Sequence, residues 1–357
     1  MEREMRDILG LSEDALTEAL AGEFGKGRYH ARGVIEWLYS TGGIASLAQS
    51  PRFADNPDLA GKIIEGFSCE LPPVRRVLEE AGTKKFTLSL ADGREIESVV
   101  IPMKAHTTLC VSSQVGCARG CSFCRTARMG FVRNLSTAEI VAQYMTARFA
   151  FGADIRNVVF MGMGEPLDNL DAVLAAIDIL TDSHGAAILP RRISLSTCAP
   201  PGGLERLAER VRLAPEKGYR LITLGVSLHA ANDETRSALM PVNRHNPLPV
   251  LRQSLLALPH ASDKDKIYFE YMVIPSVNDG EADALALRDF IAGFRAKVNL
   301  IAFRPPEGSR MPGATDADVD RFWRRVRGYG IPCYSRSGKG SSIQASCGQL
   351  ATTEISD

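Results

Sequence analysis

Long apolar runs are missing from this 357-residue chain: nowhere do about 18 hydrophobic residues follow one another, which excludes a membrane-spanning helix. Low-complexity tracts are missing too, and 45% hydrophobic against 24% charged residues excludes general disorder. Net charge is absent, with 42 Lys+Arg balancing 42 Asp+Glu. Cysteine is scarce, eight residues at 69, 110, 117, 121, 124, 198, 333 and 347, too few and too uneven for a secreted disulfide framework. Tryptophan occurs twice, and Trp37 and Trp323 read as core residues. The start, Met1-Glu-Arg-Glu-Met-Arg-Asp7, mixes both charges and lacks the apolar stretch of a signal peptide. A soluble, cytoplasmic protein is expected.

What is present is a concentration of thiols and an uneven charge layout. Four of the eight cysteines lie between 110 and 124. In a reducing compartment such a cluster argues for metal binding or catalysis. Residues 1–80 carry nine basic and fourteen acidic side chains, a balance of −5, so the remainder is +5. Ser98 to Ala138 contains no acid but Lys104, Arg119, Arg125, Arg128 and Arg133. Arg321 to Thr353 contains no acid but Arg321, Arg324, Arg325, Arg327, Arg336 and Lys339. If these two stretches meet in the fold they form one positive face around the cysteines, suited to a polyanion. Apart, they are two solvated basic faces.

The first 75 residues read as a small helical domain, with Val34, Ile35, Leu38 and Tyr39 on one apolar helix face. Pro72-Pro73 marks a boundary. A hairpin with its turn at Asp92-Gly93 follows, within a linking segment 76–107. From 108 to 357 strands and helices alternate. Strands are expected at 109–114, 157–162, 192–197, 221–228, 267–274 and 297–303, and helices at 136–150, 171–182, 203–212, 234–239 with 248–257, 281–295 and 315–329. Ser136-x-x-Glu139 and Thr315-x-x-Asp318 are capping-box starts. Six βα units predict an α/β fold with a parallel sheet, closed or partly closed, whose chemistry sits at the C-terminal strand ends.

Cys117-Ala-Arg-Gly-Cys121-Ser-Phe-Cys124 is C-x3-C-x2-C in the loop after the first of these strands. Three thiolates so spaced can hold three irons of a 4Fe–4S cluster and leave the fourth open. A structural zinc site wants a fourth ligand, which Cys110 or His106 could supply. The motif, with an aromatic before its last cysteine, resembles the radical S-adenosylmethionine (SAM) superfamily, whose core is a partial (β/α)6 barrel. Met161-Gly-Met-Gly164-Glu165-Pro166 is similar to that superfamily's Gly-Gly-Glu-Pro segment, which meets the SAM amino group. Ser196, Ser227-Leu228-His229 and Asn299 match further SAM-contacting positions, and each falls near an expected strand end. His229 alone could equally be a core histidine at a strand end.

The resemblance narrows further. Leu109-Cys110-Val-Ser-Ser-Gln-Val-Gly-Cys117 and Ala345-Ser-Cys347-Gly-Gln-Leu350 resemble the RlmN and Cfr adenosine C-methyltransferases, and Gly-Glu-Pro at 164–166 is more like RlmN. The likeness covers essentially the whole chain. It implies a 4Fe–4S cluster on Cys117, Cys121 and Cys124, two equivalents of SAM, and a methyl group carried by Cys347. The second SAM supplies a 5′-deoxyadenosyl radical that takes a hydrogen from that methyl, and the carbon radical adds to adenine. Cys110 then removes the ring proton, a Cys110–Cys347 disulfide resolves the adduct, and Glu97 assists at the base. Implied partners are 23S rRNA, with tRNA open as a second substrate, and a reductant such as flavodoxin or ferredoxin. Cys69, Cys198 and Cys333 are left to packing.

One segment departs from the family pattern Gly-Asp-Asp-Ile-Asp-Ala-Ala-Cys: this chain reads Gly340-Ser-Ser-Ile-Gln-Ala-Ser-Cys347, with Ser341, Ser342 and Gln344 in place of acids. No atom the scheme needs is lost, but the substrate is open. An adenosine C2-methyltransferase acting on RNA is the leading reading. A relative acting at C8 or on a non-RNA substrate is a second, and a non-catalytic metal-bound RNA-binding module a third.

Overall fold

The computed structural model describes residues 5–259, 267–306, 308–336, 340 and 342–352. Ser341, Lys339, the first four residues and the tail 353–357 lie outside the described residues.

A helical layer comes first: α1 (Glu13–Phe24), α2 (Arg28–Thr41) and α3 (Pro57–Gly66). Ser12 starts α1 by accepting a hydrogen bond from the Ala15 amide, and Asn56 does the same for α3 through Leu59. Val34, Ile35, Leu38 and Tyr39 of α2 are buried, as the helical spacing requires. Tyr39 among them meets Tyr144 of α4 (Thr137–Phe149) at 6.3 Å between ring centroids.

Ten strands form one sheet whose spatial order follows the chain. They are β1 (Val74–Glu80), β2 (Thr83–Ser89), β3 (Glu95–Pro102), β4 (Thr107–Cys110), β5 (Ile155–Phe160), β6 (Ile193–Thr197), β7 (Thr223–Ser227), β8 (Ile267–Val273), β9 (Ala296–Ala302) and β10 (Cys333–Arg336). The pairs from β1 through β4 are antiparallel, and those from β4 through β10 are parallel. The parallel crossovers run through α4, α5 (Leu170–Thr181), α6 (Gly203–Leu213), α7 (Asp233–Leu239) with α8 (Leu248–Leu256), α9 (Glu281–Ile291) and α10 (Asp316–Gly328). Both capping boxes form, at Ser136/Glu139 and Thr315/Asp318.

Alternation explains the layering. Along β8, Phe269 and Tyr271 point outward to Phe290 and Phe322 at 5.8 and 5.2 Å, while Glu270 and Met272 point inward to a cleft. The sheet is a partial barrel, with β1 and β10 as unjoined edges. The hairpin with its turn at Asp92-Gly93 is present as β2 and β3, but it belongs to the barrel's own sheet because β3 pairs with β4. Two strands of this sheet were not expected. β1 is charged and mostly exposed, so its alternation is faint, and β10 is four residues long. The helix expected to 295 stops at Ile291, because Gly293 adopts φ +86° and turns the chain into β9.

Residues 342–352 lie against β1, β3 and residues 125–126. The Ser342 amide donates to Glu80 Oε2, and the Ala351 amide donates to Glu97 Oε2 at 3.0 Å. No helix of the described residues is long and apolar enough to cross a membrane.

Candidate functional site

The loop after β4 carries the three-cysteine motif and is held at both ends. Its stem, Gln114–Gly116, pairs antiparallel with Phe131–Asn134. Gly116 sits at φ +71°, and a Cβ there would lie 1.8 Å from the Gly130 carbonyl oxygen, so the backbones can approach only without a side chain. Arg119 Nε forms a 2.9 Å ion pair with Asp168 Oδ2, fastening the loop to the segment after β5. Between two of the cysteines, the Ser122 amide donates to the Leu239 carbonyl at the end of α7.

Cys117, Cys121 and Cys124 all line one cleft at the C-terminal strand ends, with about 760 Å³ of free space including its mouth. Burial pushes the Cys117 thiol up to about 12 and raises Cys121 further, so a bound cation displaces protons here. Among the described residues the three thiols are not gathered, with or without a fourth Cys, His or carboxylate, within 4.8 Å of one another. A single tetrahedral zinc, with Zn–S of about 2.3 Å, would draw its sulfurs closer than that. The wider spacing of three thiols suits an iron–sulfur core.

Facing the cysteines is the loop after β5. Gly164 has φ +100°, and a Cβ there would lie 2.6 Å from Gln114 Cβ. That close approach lets Gln114 Oε1 accept from the Glu165 amide at 2.8 Å. Glu165 is buried in the cleft wall. Its Oε1 accepts from Leu167 and its Oε2 from the Cys198 amide, while burial raises its pKa against those bonds. A buried carboxylate with a raised pKa wants a cationic partner, and a SAM amino group is one.

Ser196, Ser227 and His229 complete the wall. His229 holds φ +56°, its Nδ1 accepts from the Met272 amide at 3.0 Å, and its ring stands edge-on to Phe123 at 4.7 Å. Complete burial lowers its pKa to about 3, so it is neutral with its proton on Nε2. Asn299 and Leu228 are not on the wall: Leu228 is in the core, and Asn299 Nδ2 donates to Glu270 Oε1 behind it.

Cys347 does line the cleft, and it arrives there from the far end of the chain. The Arg125 amide donates to the Gly348 carbonyl, Thr126 Oγ1 to Leu350, and the Arg125 guanidinium to Gln344 Oε1. The two acid-free basic stretches therefore meet. Their charge is partly cancelled, since Arg119, Arg133, Arg321 and Arg325 are ion-paired with acids from elsewhere. Cys110 is buried at the end of β4 beside Val99 and Val159, off the cleft wall. Glu97 holds the segment that bears Cys347 through the Ala351 amide and is paired with Lys85 Nζ at 2.9 Å. Burial raises its pKa against the pull of that ammonium.

Several cleft residues escaped the sequence reading. Glu270, Met272 and Ile301 among them are inward positions of ordinary strands, and only period-2 alternation could have flagged them. Cys198, expected to be packing, lines the cleft and donates its amide to Glu165. Cys333 is buried as expected, Cys69 is half-buried, and both tryptophans sit half-buried at the core edge.

Comparison with known proteins agrees with this geometry. A model of the radical SAM superfamily matches residues 111–288. The probable dual-specificity RNA methyltransferase RlmN 1 of Protochlamydia amoebophila is 37% identical over 348 residues, covering 98% of this chain and 94% of that protein. The dual-specificity RNA methyltransferase RlmN of Desulfosudis oleivorans is 43% identical over 331 residues, covering 90% and 85%. The crystal structure of a radical SAM methyltransferase from Sphaerobacter thermophilus superposes with a TM-score of 0.84 at 34% identity, covering 97% of this chain and 99% of that one.

Proposed function

The chain belongs to the RlmN family of radical SAM methyltransferases and is an enzyme; on that premise we propose that it methylates C2 of an adenosine in RNA, 23S rRNA and also tRNA, in the cytoplasm. The observation that carries this is the position of Cys347, a C-terminal thiol on the same cleft wall as Cys117, Cys121, Cys124 and Glu165. The family uses SAM and a 4Fe–4S cluster, and the donor set here fits both.

In this reading Cys117, Cys121 and Cys124 hold the cluster, and Gly164, Glu165, Ser196, Ser227, Leu228, His229 and Asn299 form the SAM site, Leu228 and Asn299 through the shape of the wall. When bound, cluster and SAM together supply a hydrogen-abstracting radical. Two equivalents of SAM are used per turnover, because the methyl group is first placed on the Cys347 sulfur. An sp2 ring carbon is a poor nucleophile, so the carbon must arrive as a radical on that sulfur rather than by displacement. Cys110 takes the C2 proton and passes it to the bridging carbon as its sulfur bonds to that of Cys347 and the Cys347 sulfur–carbon bond breaks. The one electron left over returns to the electron carrier, methylated base leaves, and an external dithiol reopens the disulfide. Such a disulfide needs a Cα separation of about 4.4–6.8 Å. Glu97 positions the base and, through Ala351, the segment bearing Cys347. Residues 1–75 form the accessory domain that contacts RNA, 76–107 the strand extension and 108–357 the catalytic core. A flavodoxin- or ferredoxin-type protein supplies electrons.

The test is anaerobic incubation of cluster-loaded protein with SAM, reductant and unmodified rRNA and tRNA, followed by nucleoside mass spectrometry. A 2-methyladenosine peak that Cys347→Ala abolishes is expected. An 8-methyladenosine peak overturns the regiochemistry, and 5′-deoxyadenosine without methylated RNA overturns the substrate.

A further inference from the structure

The largest fully buried side chain among the described residues is Arg236 on α7, 1% exposed. Its hydrogen bonds go to neutral acceptors. Nε donates to the Leu228 carbonyl, Nη1 to Asn243 Oδ1, and Nη2 to the carbonyls of Cys198 and Ser227. Among the described residues no carboxylate lies within ion-pair distance of it. The nearest acid in its network, Asp233, is reached only through Asn243, whose Nδ2 donates to it. A buried guanidinium without a counter-charge is costly, and natural proteins keep one where an anion is to come.

The surroundings say where that anion sits. Cys198 and Ser227, whose carbonyls Arg236 grips, are on the cleft wall with Cys121. The helix that carries Arg236 ends at Leu239, whose carbonyl receives both the amide and the hydroxyl of Ser122, between two of the cysteines. Three thiolates on a 4Fe–4S core leave a net negative charge that grows on reduction. One short helix thus ties the cysteine loop to the ends of β6 and β7 and carries a fixed positive charge beneath them.

From this geometry we propose that Arg236 is a positioning residue for the cofactor pair: it locks the β6 and β7 ends in register with the cysteine loop and offsets the charge of the cluster. The proposal rests on the assignment of Cys117, Cys121 and Cys124 to a cluster. Its two parts separate by substitution. Arg236→Lys keeps the charge but cannot span three carbonyls, whereas Arg236→Gln loses both.

The test uses full-length reconstituted protein and measures iron content, the cluster midpoint potential by EPR-monitored titration, and SAM affinity by calorimetry. Arg236→Gln is expected to disfavour reduction about tenfold, which for one electron is about 59 mV more negative. Arg236→Lys is expected to hold the potential while SAM Kd rises about tenfold. Wild-type potential and SAM affinity in both variants overturn the proposal. If Arg236→Gln fails to fold, Arg236→Lys with wild-type iron content decides: unchanged SAM affinity overturns the positioning role, and weakened affinity supports it. Wild-type protein that takes up no cluster overturns the functional reading along with this one, whereas a normal wild-type cluster beside indifferent variants overturns this one alone.

Discussion

Lys85→Met is a sharp test of the buried charge that holds the segment bearing Cys347. Lys85 Nζ and Glu97 Oε1 are 2.9 Å apart, and both side chains are 6% exposed. Removing the ammonium strands a carboxylate in the barrel interior, which costs about 3–5 kcal/mol. For a chain of this length that lowers Tm by on the order of 10 °C. The pH dependence carries the reasoning. Glu97 already has a raised carboxyl pKa, so the folded state binds its proton more tightly than the unfolded state does. The burial penalty is absent where Glu97 is protonated in both states, and it grows as pH rises through the folded pKa. Without Lys85 that penalty is larger, so the deficit of Lys85→Met is expected to be small near pH 4 and large near pH 8. Urea melts of metal-free protein across this range measure it. Lys85→Met with Glu97→Gln removes both charges and should recover most of the loss. A deficit that is equal in acid and base, or that persists in the double variant, refutes the argument.

Two further outcomes follow from the site. Gly164→Ala puts a Cβ 2.6 Å from Gln114 Cβ at φ +100°, and should cost about 1–3 kcal/mol in a thermal melt. Because Gln114 orients the Glu165 amide, SAM affinity measured by calorimetry should also fall, and unchanged affinity would show that the wall tolerates displacement. His229, with a pKa of about 3 against 6.5 when free, costs folding stability as pH falls below 6.5, since only the unfolded chain takes up the proton. That amounts to about 2 kcal/mol by pH 5, and His229→Gln should flatten this acid limb in denaturant titrations.

The cluster loop was legible because its three thiols are neighbours in sequence and their spacing is itself the signal. The alternating strands and helices were legible because β8 and α10 bury whole faces, leaving period-2 and period-3.6 patterns intact. β1 was not, since Arg75, Arg76, Glu79 and Glu80 on an exposed edge erase the apolar alternation. Cys198, Glu270 and Arg236 were not either. Each is distant in sequence from the motif it serves, and a buried arginine in Asp-Glu-Thr-Arg reads as a solvated helix face. Only the fold shows that it faces inward.

The latch formed by residues 342–352 also orders events in time. The bond from Ala351 to Glu97 joins residues 254 apart, and that from Ser342 to Glu80 joins residues 262 apart. Strands β1 to β9, which end at Ala302, and the cysteine loop emerge from the ribosome well before Cys347, the thiol proposed to carry the methyl group. Closure therefore depends on contacts of very high sequence separation, which form slowly and late. A nascent or prematurely stopped chain holds the cysteine loop but no Cys347, the residue proposed above as methyl carrier. On that proposal, methyl transfer becomes possible only when synthesis has passed residue 347.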